Sequence, residues 1–458
     1  MTEINVAPKG AAREQGISRG MALGGDAVFA LDDGRVVFVP RGAPGDVAEI
    51  EIGGTTRGVL HGRLASIEQP GPGRVEAPCP FFRAGCGGCQ WQQLDYATQL
   101  DQKQQILGET LRRLGKLESI PLLDPIPAPD AWHYRSAIQL HVDLEGRVAF
   151  TGAHSHDLVA IDACLIAHPL LNRLIAALRS PLAEAILRDR VAGIRSIAAR
   201  VAAADGQERL LLLIQSKDGR IRSSRRLVEA LRMELPEIAS ASLLALPADD
   251  APKRRGLPVL QSLVGEPFLP HDMAGQRFFV GPSAFFQVHA EQTERLLSIV
   301  REVVATERPD GLLDLYCGVG LFALTTADLA GEVIGYESQP EALRLAERAL
   351  ETQLSLHPGG NARIRFHRAD VEALLPDDLR GAGVVILDPP RAGLPTQLIE
   401  SLLTSDPRCV IYVSCEPSSL ARDLRRLTDG GFRLNSVQLL DMFPQTYHIE
   451  SVSVLRRG

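Results

Sequence analysis

The period of the apolar positions changes along the chain. Over the first ~75 residues, short apolar runs alternate with polar positions. VFALDDGRVVFVP (28–40) reads as a hairpin turning at Asp32-Asp33-Gly34, and VAEIEI (47–52) and RGVLHGRLASI (57–67) read as further strands. Short strands at this spacing predict a small, OB-like β-barrel over residues 1–72, with QPGPGR (69–74) as a linker. A helix is predicted from Tyr96 to Leu114, where Leu100, Ile106, Leu107 and Leu111 recur at helical spacing. Residues 73–282 mix strands (AIQLHVDL, VAFTGA, ERLLLLIQ) with helices (LLNRLIAAL, SSRRLVEALR), which predicts an α+β middle domain. From 283 to 458 the pattern is strand then helix: GLLDLYC before LFALTTADLA, EVIGYE before PEALRLAERALE, then ARIRFHRAD, VVILDPP and CVIYVSCEP. Apolar strands separated by helices predict a mostly parallel, Rossmann-like α/β sheet covered on both faces.

Composition narrows the class. With 458 residues, 45% apolar and 23% charged, the chain is long enough for about three globular domains and is not disordered. No apolar run approaches the ~20 residues of a membrane span. The opening MTEINVAPKGAAREQ lacks the apolar stretch of a secretion signal, so a cytoplasmic protein is expected. Seven cysteines form no disulfide scaffold and point instead to metal or catalytic thiols. The net charge of −7 conceals a split, because residues 179–255 carry 15 Lys and Arg against 10 Asp and Glu. That local excess permits nucleic-acid binding without arguing for it; solvated helix faces would look the same.

Candidate chemistry begins at Asp314-Leu-Tyr316-Cys-Gly318-Val-Gly320, where a strand passes into a helix and two glycines let the backbone approach a ligand. Seventeen residues beyond Gly320, Glu337 ends the next strand and is placed to accept from ribose hydroxyls. Asp370 follows a third strand, where it would meet an adenine edge. The three together predict an adenosine-containing ligand, and the absence of a G-x-x-x-x-G-K-[ST] loop leaves NAD or S-adenosyl-L-methionine rather than ATP. Asp388 in LDPPRAG and Cys415 in YVSCEP follow the fourth and fifth strands, and Glu450 in FPQTYHIES supplies a second carboxylate. Upstream, Cys79-x6-Cys86-x2-Cys89 with the distant Cys164 makes a four-thiolate set that suits either zinc or a 4Fe-4S cubane. Cys317 and Cys409 read as structural.

SAFFQV (283–288), DLYCGVG, LDPPRAG, YVSCEPSSLARDL and DMFPQTYHIES occur in the order found in the RNA uracil-5-methyltransferase family, which this chain resembles over nearly all of its last ~175 residues. The resemblance continues through the cysteine block to the barrel, which is similar to a TRAM domain. It implies a Rossmann-like methyltransferase domain, S-adenosyl-L-methionine as methyl donor, and an RNA substrate. It further implies 23S ribosomal RNA as the target, with transfer RNA the alternative, and a monomeric enzyme. Carbon 5 of uracil is a poor nucleophile; a thiolate adding to carbon 6 makes carbon 5 electron-rich, and a base must later remove the carbon-5 proton. The resemblance implies Cys415 as that nucleophile, Glu450 as the base, and Asp388 and Gln287 as cofactor or pyrimidine ligands. It implies that Phe285 or Phe286 stacks on a base, and that Cys79, Cys86, Cys89 and Cys164 hold a 4Fe-4S cluster. The sequence departs from the pattern at Leu321, His289, Arg348-Ala349, Glu416 and the longer Cys79–Cys86 spacing. An amino-group methyltransferase would share Asp388-Pro389-Pro390, yet Arg391 stands where that chemistry needs an aromatic. A non-catalytic RNA-binding protein would have no use for the pair Cys415 and Glu450.

Overall fold

The computed structural model describes residues 12–153, 155–189, 193–217, 221–246, 260–356 and 363–458. Part of the basic stretch, including residues 247–255, lies outside the described residues. Contacts divide the chain into two compact units, one of Met1–Thr110 with Phe150–Val159 and Phe443–Ile449, the other of Leu111–Ala149, Ala160–Met442 and Glu450–Gly458.

In the first unit, β1 (Arg13–Met21), β2 (Ala27–Leu31), β3 (Val36–Val39), β4 (Val47–Thr56) and β5 (Val59–Gln69) close into a barrel in the order β1-β2-β3-β5-β4. Alternation puts Phe29, Leu31, Val37, Val39, Ala48 and Ile50 inside. Strand β1, REQGISRGM, carries too few apolar residues to stand out in the sequence; its partners β2 and β4 supply the pairing. The expected linker is part of the packed structure. Buried Asp46 accepts from the Ala43 amide (2.7 Å), the Gly71 amide (2.9 Å) and the Arg74 guanidinium (2.6 Å). Gly71 faces the Pro44 carbonyl so closely that a side chain has no room. The unit continues through α1 (Pro80–Arg83) into α2 (Tyr96–Arg113), which matches the predicted helix.

The second unit holds most of two larger sheets and a two-stranded one. Strands β6 (Ala137–Val142), β7 (Val148–Thr151) and β8 (Leu158–Ala160) are followed by α3 (Pro169–Leu178), α4 (Pro181–Arg188), β9 (Ile194–Ala204), β10 (Gln207–Lys217), α5 (Ile221–Glu234), β11 (Ile238–Leu246) and β12 (Leu260–Val264). Within that unit β12, β11, β10, β9, β6 and β7 lie side by side, so the middle region is α+β as its mixed pattern predicts. A hairpin, β13 (Leu269–Met273) and β14 (Gln276–Val280), leads to α6 (Ala290–Glu307).

The last part is β15 (Gly311–Leu315), α7 (Leu321–Thr325), β16 (Glu332–Glu337), α8 (Pro340–Leu356), β17 (Arg363–Arg368), β18 (Val384–Leu387), α9 (Thr396–Ser405), β19 (Cys409–Ser414), α10 (Pro417–Asp429), β20 (Phe432–Leu440) and β21 (Glu450–Arg457). Its sheet order is β17-β16-β15-β18-β19-β21-β20, parallel through β19 with β21 and β20 antiparallel. Every residue of β18 and β19 is buried, as continuous apolar strands in a covered parallel sheet require. The chain builds outward from β15 to β17, then returns to place β18 on the other side of β15. The loops after β15 and β18 therefore diverge and leave a crevice at the strand ends, the position where such sheets bind ligands. The helix expected over LFALTTADLA is shorter than its apolar pattern: α7 stops at Thr325, and the Thr325 and Thr326 hydroxyls donate back to Leu321 (2.7 Å) and Phe322 (2.8 Å) carbonyls. Among the described residues no helix is long and apolar enough to cross a membrane.

Candidate active site

The loop after β15 is shaped by backbone that most side chains avoid. Tyr316, Gly318 and Gly320 have φ of 65°, 56° and 82°. A Cβ on Gly320 would strike the Phe366 ring at 2.8 Å, whereas one on Gly318 would meet nothing within 4 Å. Gly318 thus borders open space, and Gly320 is needed for packing. Asp314 is fully buried; its Oδ2 accepts from the Ala323 amide (2.8 Å) and so fixes the first turn of α7, while its Oδ1 has no partner. Burial pushes its carboxyl up to about 8. The Tyr316 hydroxyl is likewise buried without a partner, and burial raises its pKa.

Glu337, at the end of β16, accepts from the Gly318 amide with Oε2 (3.1 Å) and from the Gln339 amide with Oε1 (2.6 Å). It is held at the mouth of the loop, as its spacing predicts. Asp370 lies two residues beyond β17, exposed, and its carboxylate accepts from the Glu372 amide at the start of a short 3-10 turn (3.1 Å). Orphaned polar atoms, a glycine cradle and a carboxylate held at its mouth suit an adenosyl ligand.

Asp388, Cys415 and Glu450 come from three different strand ends and share one electrostatic neighbourhood. Asp388 follows β18, Cys415 follows β19, and Glu450 opens β21. Burial pushes the Cys415 thiol up to about 12, with the charges of Glu450 and Asp388 adding to the rise and Arg391 opposing it. Burial first, then Asp388, raises the Glu450 carboxyl well above the ordinary range. Asp388 is raised to about 7 by burial. Burial thus favours the protonated forms of Cys415 and Glu450, Asp388 is near half ionised at neutral pH, and ionising one member opposes ionising the others. Cys415 lies one residue before the N-cap of α10, whose N-terminal dipole favours a thiolate once a proton acceptor is present. The departure Glu416 has a local explanation: its carboxylate caps α10 by accepting from the Ser418 amide (3.3 Å).

Sequence reasoning missed the residues that hold this arrangement. Asp423, fully buried on α10, accepts from the Tyr412 hydroxyl (2.9 Å), the Leu394 amide (2.7 Å) and Arg422 Nε (2.8 Å). It ties β19 to the loop carrying Asp388 and Arg391. Its position inside YVSCEPSSLARDL was the available signal. Arg391 was noted only for not being aromatic, yet it is the cation that lowers the Cys415 pKa.

Gln287 is buried and Phe286 packs against Phe278 (ring centroids 6.2 Å apart), whereas Phe285 is 64% exposed. Only Phe285 therefore presents a face for stacking. His289 caps α6 by accepting from the Gln292 amide (3.5 Å) and stacks on Tyr134 (4.8 Å); burial lowers its pKa to about 4, so it is neutral.

The four-cysteine metal site expected from the sequence is not supported. Cys79, Cys86 and Cys89 belong to the first unit and Cys164 to the second. Among the described residues no three Cys, His, Asp or Glu side chains are grouped so as to hold a metal ion. Cys86 accepts a hydrogen bond from the Gly88 amide (3.5 Å), and burial, with the neighbouring Cys79 adding to it, raises its thiol pKa. Spacing along the chain says nothing about where four thiols meet in space.

A parallel sheet with a glycine cradle after its first strand, and a thiol flanked by two carboxyls across the switch point, defines an α/β group-transfer enzyme with an adenosyl pocket. The family model for tRNA (uracil-5-)-methyltransferase matches residues 371–458, the stretch that carries Asp388, Cys415 and Glu450. An uncharacterised RNA methyltransferase of Gloeobacter violaceus is 33% identical over 451 residues, covering 96% of this chain and 95% of its own. One from Caldanaerobacter subterraneus is 34% identical over 438 residues, covering 93% and 94%. In fold, the chain is similar to the Pyrococcus abyssi tRNA (uracil-54, C5)-methyltransferase solved with S-adenosyl-L-homocysteine, with a TM-score of 0.73 and 24% identity over 96% of this chain and all of that one. The chain belongs to the RNA methyltransferase family of these relatives.

Proposed function

We propose that the protein methylates carbon 5 of a uridine in RNA with S-adenosyl-L-methionine as donor, and that the observation carrying this reading is the joint placement of Cys415, Glu450 and Asp388 beside the adenosyl cradle. Gly318, Glu337, Asp370 and Tyr316 would hold the donor, with Asp388 and Gln287 at its reacting end; when bound it supplies an electrophilic methyl group. Cys415 releases its proton to solvent and adds through Sγ to carbon 6 of the uracil, with Glu450 entering the step as the carboxylate, which makes carbon 5 nucleophilic. Glu450 removes the proton from methylated carbon 5, and the electrons left behind expel Cys415. Burial suits Glu450 to this work, since a carboxylate that is costly to ionise is a strong base. Arg391 favours the thiolate, and Asp423 keeps the Asp388–Arg391 loop in place.

Division by role follows the reading: the barrel (1–72) and the α+β region (73–282) contact RNA, and 283–458 performs the transfer. The resemblance favours 23S ribosomal RNA, whereas the matching family model carries transfer RNA in its description. Mapping 5-methyluridine in both RNAs from a deletion strain decides between them: a uridine left unmethylated in only one class names the target. The reaction itself is tested with RNA containing 5-fluorouracil, in which the carbon-5 proton cannot leave. The wild-type protein should remain covalently attached and Cys415→Ala should not. An adduct with Cys415→Ala overturns the assignment.

A further inference from the structure

An open cleft of about 220 Å³ in the second unit lies against the segment that presents Phe285 and Gln287, and its lining includes Arg135, Arg200, Leu211, Gly281, Pro282 and Val288. Arg200 sits in β9 opposite Ala137 and Leu211, so its guanidinium is set among small and apolar neighbours. It donates one hydrogen bond, from Nη1 to the Phe286 carbonyl (3.1 Å). Arg135 donates Nε to the Ala137 carbonyl (3.0 Å). Each guanidinium carries five N–H groups, so both retain donors for a further acceptor. Among the described residues neither forms an ion pair with a carboxylate. Glu341, beside Gly281, is already engaged by the Ser283 amide (3.2 Å). Burial alone lowers the Arg200 pKa to about 10, which leaves it charged at neutral pH. The nearby His271 adds no counter-charge: burial and Arg200 lower its pKa to about 4, and its Nδ1 accepts from the Ala203 amide (3.0 Å).

Two cations without a carboxylate, gathered in a cleft with apolar walls, call for an anion with several acceptor oxygens. We propose that this cleft is a phosphodiester subsite, in which Arg200 and Arg135 grip the RNA backbone next to the nucleotide whose base stacks on Phe285. The inference rests on the RNA-methylation reading and adds the contact that positions the strand. Arg200 also ties the subsite to the segment carrying Phe285, since the same guanidinium holds the Phe286 carbonyl.

The test measures binding of labelled oligouridylate by the full chain across a range of KCl concentrations, with S-adenosyl-L-homocysteine affinity measured in parallel. Arg200→Gln keeps a donor for the Phe286 carbonyl and removes the charge. It should lower the slope of log K against log salt by roughly 0.7, the value of one phosphate on a single strand, and leave S-adenosyl-L-homocysteine affinity unchanged. Arg200→Lys should restore the slope, which a purely structural prop would not require. Arg135→Gln provides the same reading if Arg200→Gln does not fold. An unchanged slope in a variant whose wild type binds RNA overturns the subsite. Lost S-adenosyl-L-homocysteine affinity with an unchanged slope also overturns it, by assigning the cleft to the amino-acid end of the methyl donor. Failure of the wild type to bind RNA overturns the methylation reading and the subsite with it.

Discussion

At the scale of single residues, the site is governed by how burial changes proton affinity. Asp314 has its folded pKa raised to about 8 from 3.8. Its direction is opposite to that of a salt-bridged carboxylate. The penalty for burying the charge is absent below pH ~4 and complete above about pH 8, so this residue makes the fold less stable as pH rises through that window. Asp314→Asn keeps an acceptor for the Ala323 amide and removes the penalty. Its melting temperature should exceed that of the wild type by at least about 2–4 °C at pH 8.5, the equivalent of about 1 kcal/mol, and the gap should close towards pH 4. Arg391 makes a second residue-scale prediction. Being exposed, it is worth only about 0.2–1 kcal/mol to the thiolate, so Arg391→Ala should slow adduct formation with 5-fluorouracil RNA roughly two- to fivefold at neutral pH. The loss should be recovered at higher pH; a loss independent of pH would show that Arg391 acts on something other than the thiol.

Elements position these residues through a small number of buried polar links. Asp423 joins α10, β19 and the loop after β18 by accepting from Arg422, Tyr412 and Leu394. Asp423→Ala strands the Leu394 amide and the Tyr412 hydroxyl, each at a cost of about 1–3 kcal/mol. Adduct formation should fall further than RNA affinity, because the displaced loop carries Asp388 and Arg391. Equal losses of both would mean general unfolding, which circular dichroism at the assay temperature would reveal. In the first unit, Gly71 permits the closure that Asp46 and Arg74 hold, and Gly71→Ala should destabilise that unit, read as earlier loss of amide protection in the barrel than in the catalytic sheet.

At the scale of the whole molecule, three chemical groups separated by up to 62 residues in the chain meet because the sheet reverses its strand order at β15 and returns through β21. Glu450 depends on that return: it opens β21, pairs opposite Leu440 of β20, and is buried. If it acts only after methyl transfer, Glu450→Gln should bind RNA, attack carbon 6 and transfer the methyl group, then stall. Mass spectrometry of the variant incubated with ordinary uridine RNA should find a methylated, covalent protein–RNA species and little turnover. Normal turnover would assign proton removal to another group, with Asp388 the nearest.

Local pattern was enough to locate most elements. The hairpin at Asp32-Asp33-Gly34, helix α2 and the five parallel strands announce themselves because alternation and apolar runs are properties of neighbouring residues. The positions of Gly318, Glu337, Asp388 and Cys415 at successive strand ends were legible for the same reason, since each motif is contiguous. Strand β1, the fold-back of Gln69–Arg74 and the early end of α7 were not, because pairing partners and buried hydrogen bonds decide them. The roles of Asp423 and Arg200 depend on which groups face them across the fold, information that no local window contains. The cysteines make the same point in reverse: Cys79, Cys86, Cys89 and Cys164 suggest a metal site by spacing, and among the described residues no group of three metal-ligating side chains is found. Sequence alone determined the chemistry available to each segment. Only the tertiary structure decided which chemistries share a site, because burial and charge coupling act through space.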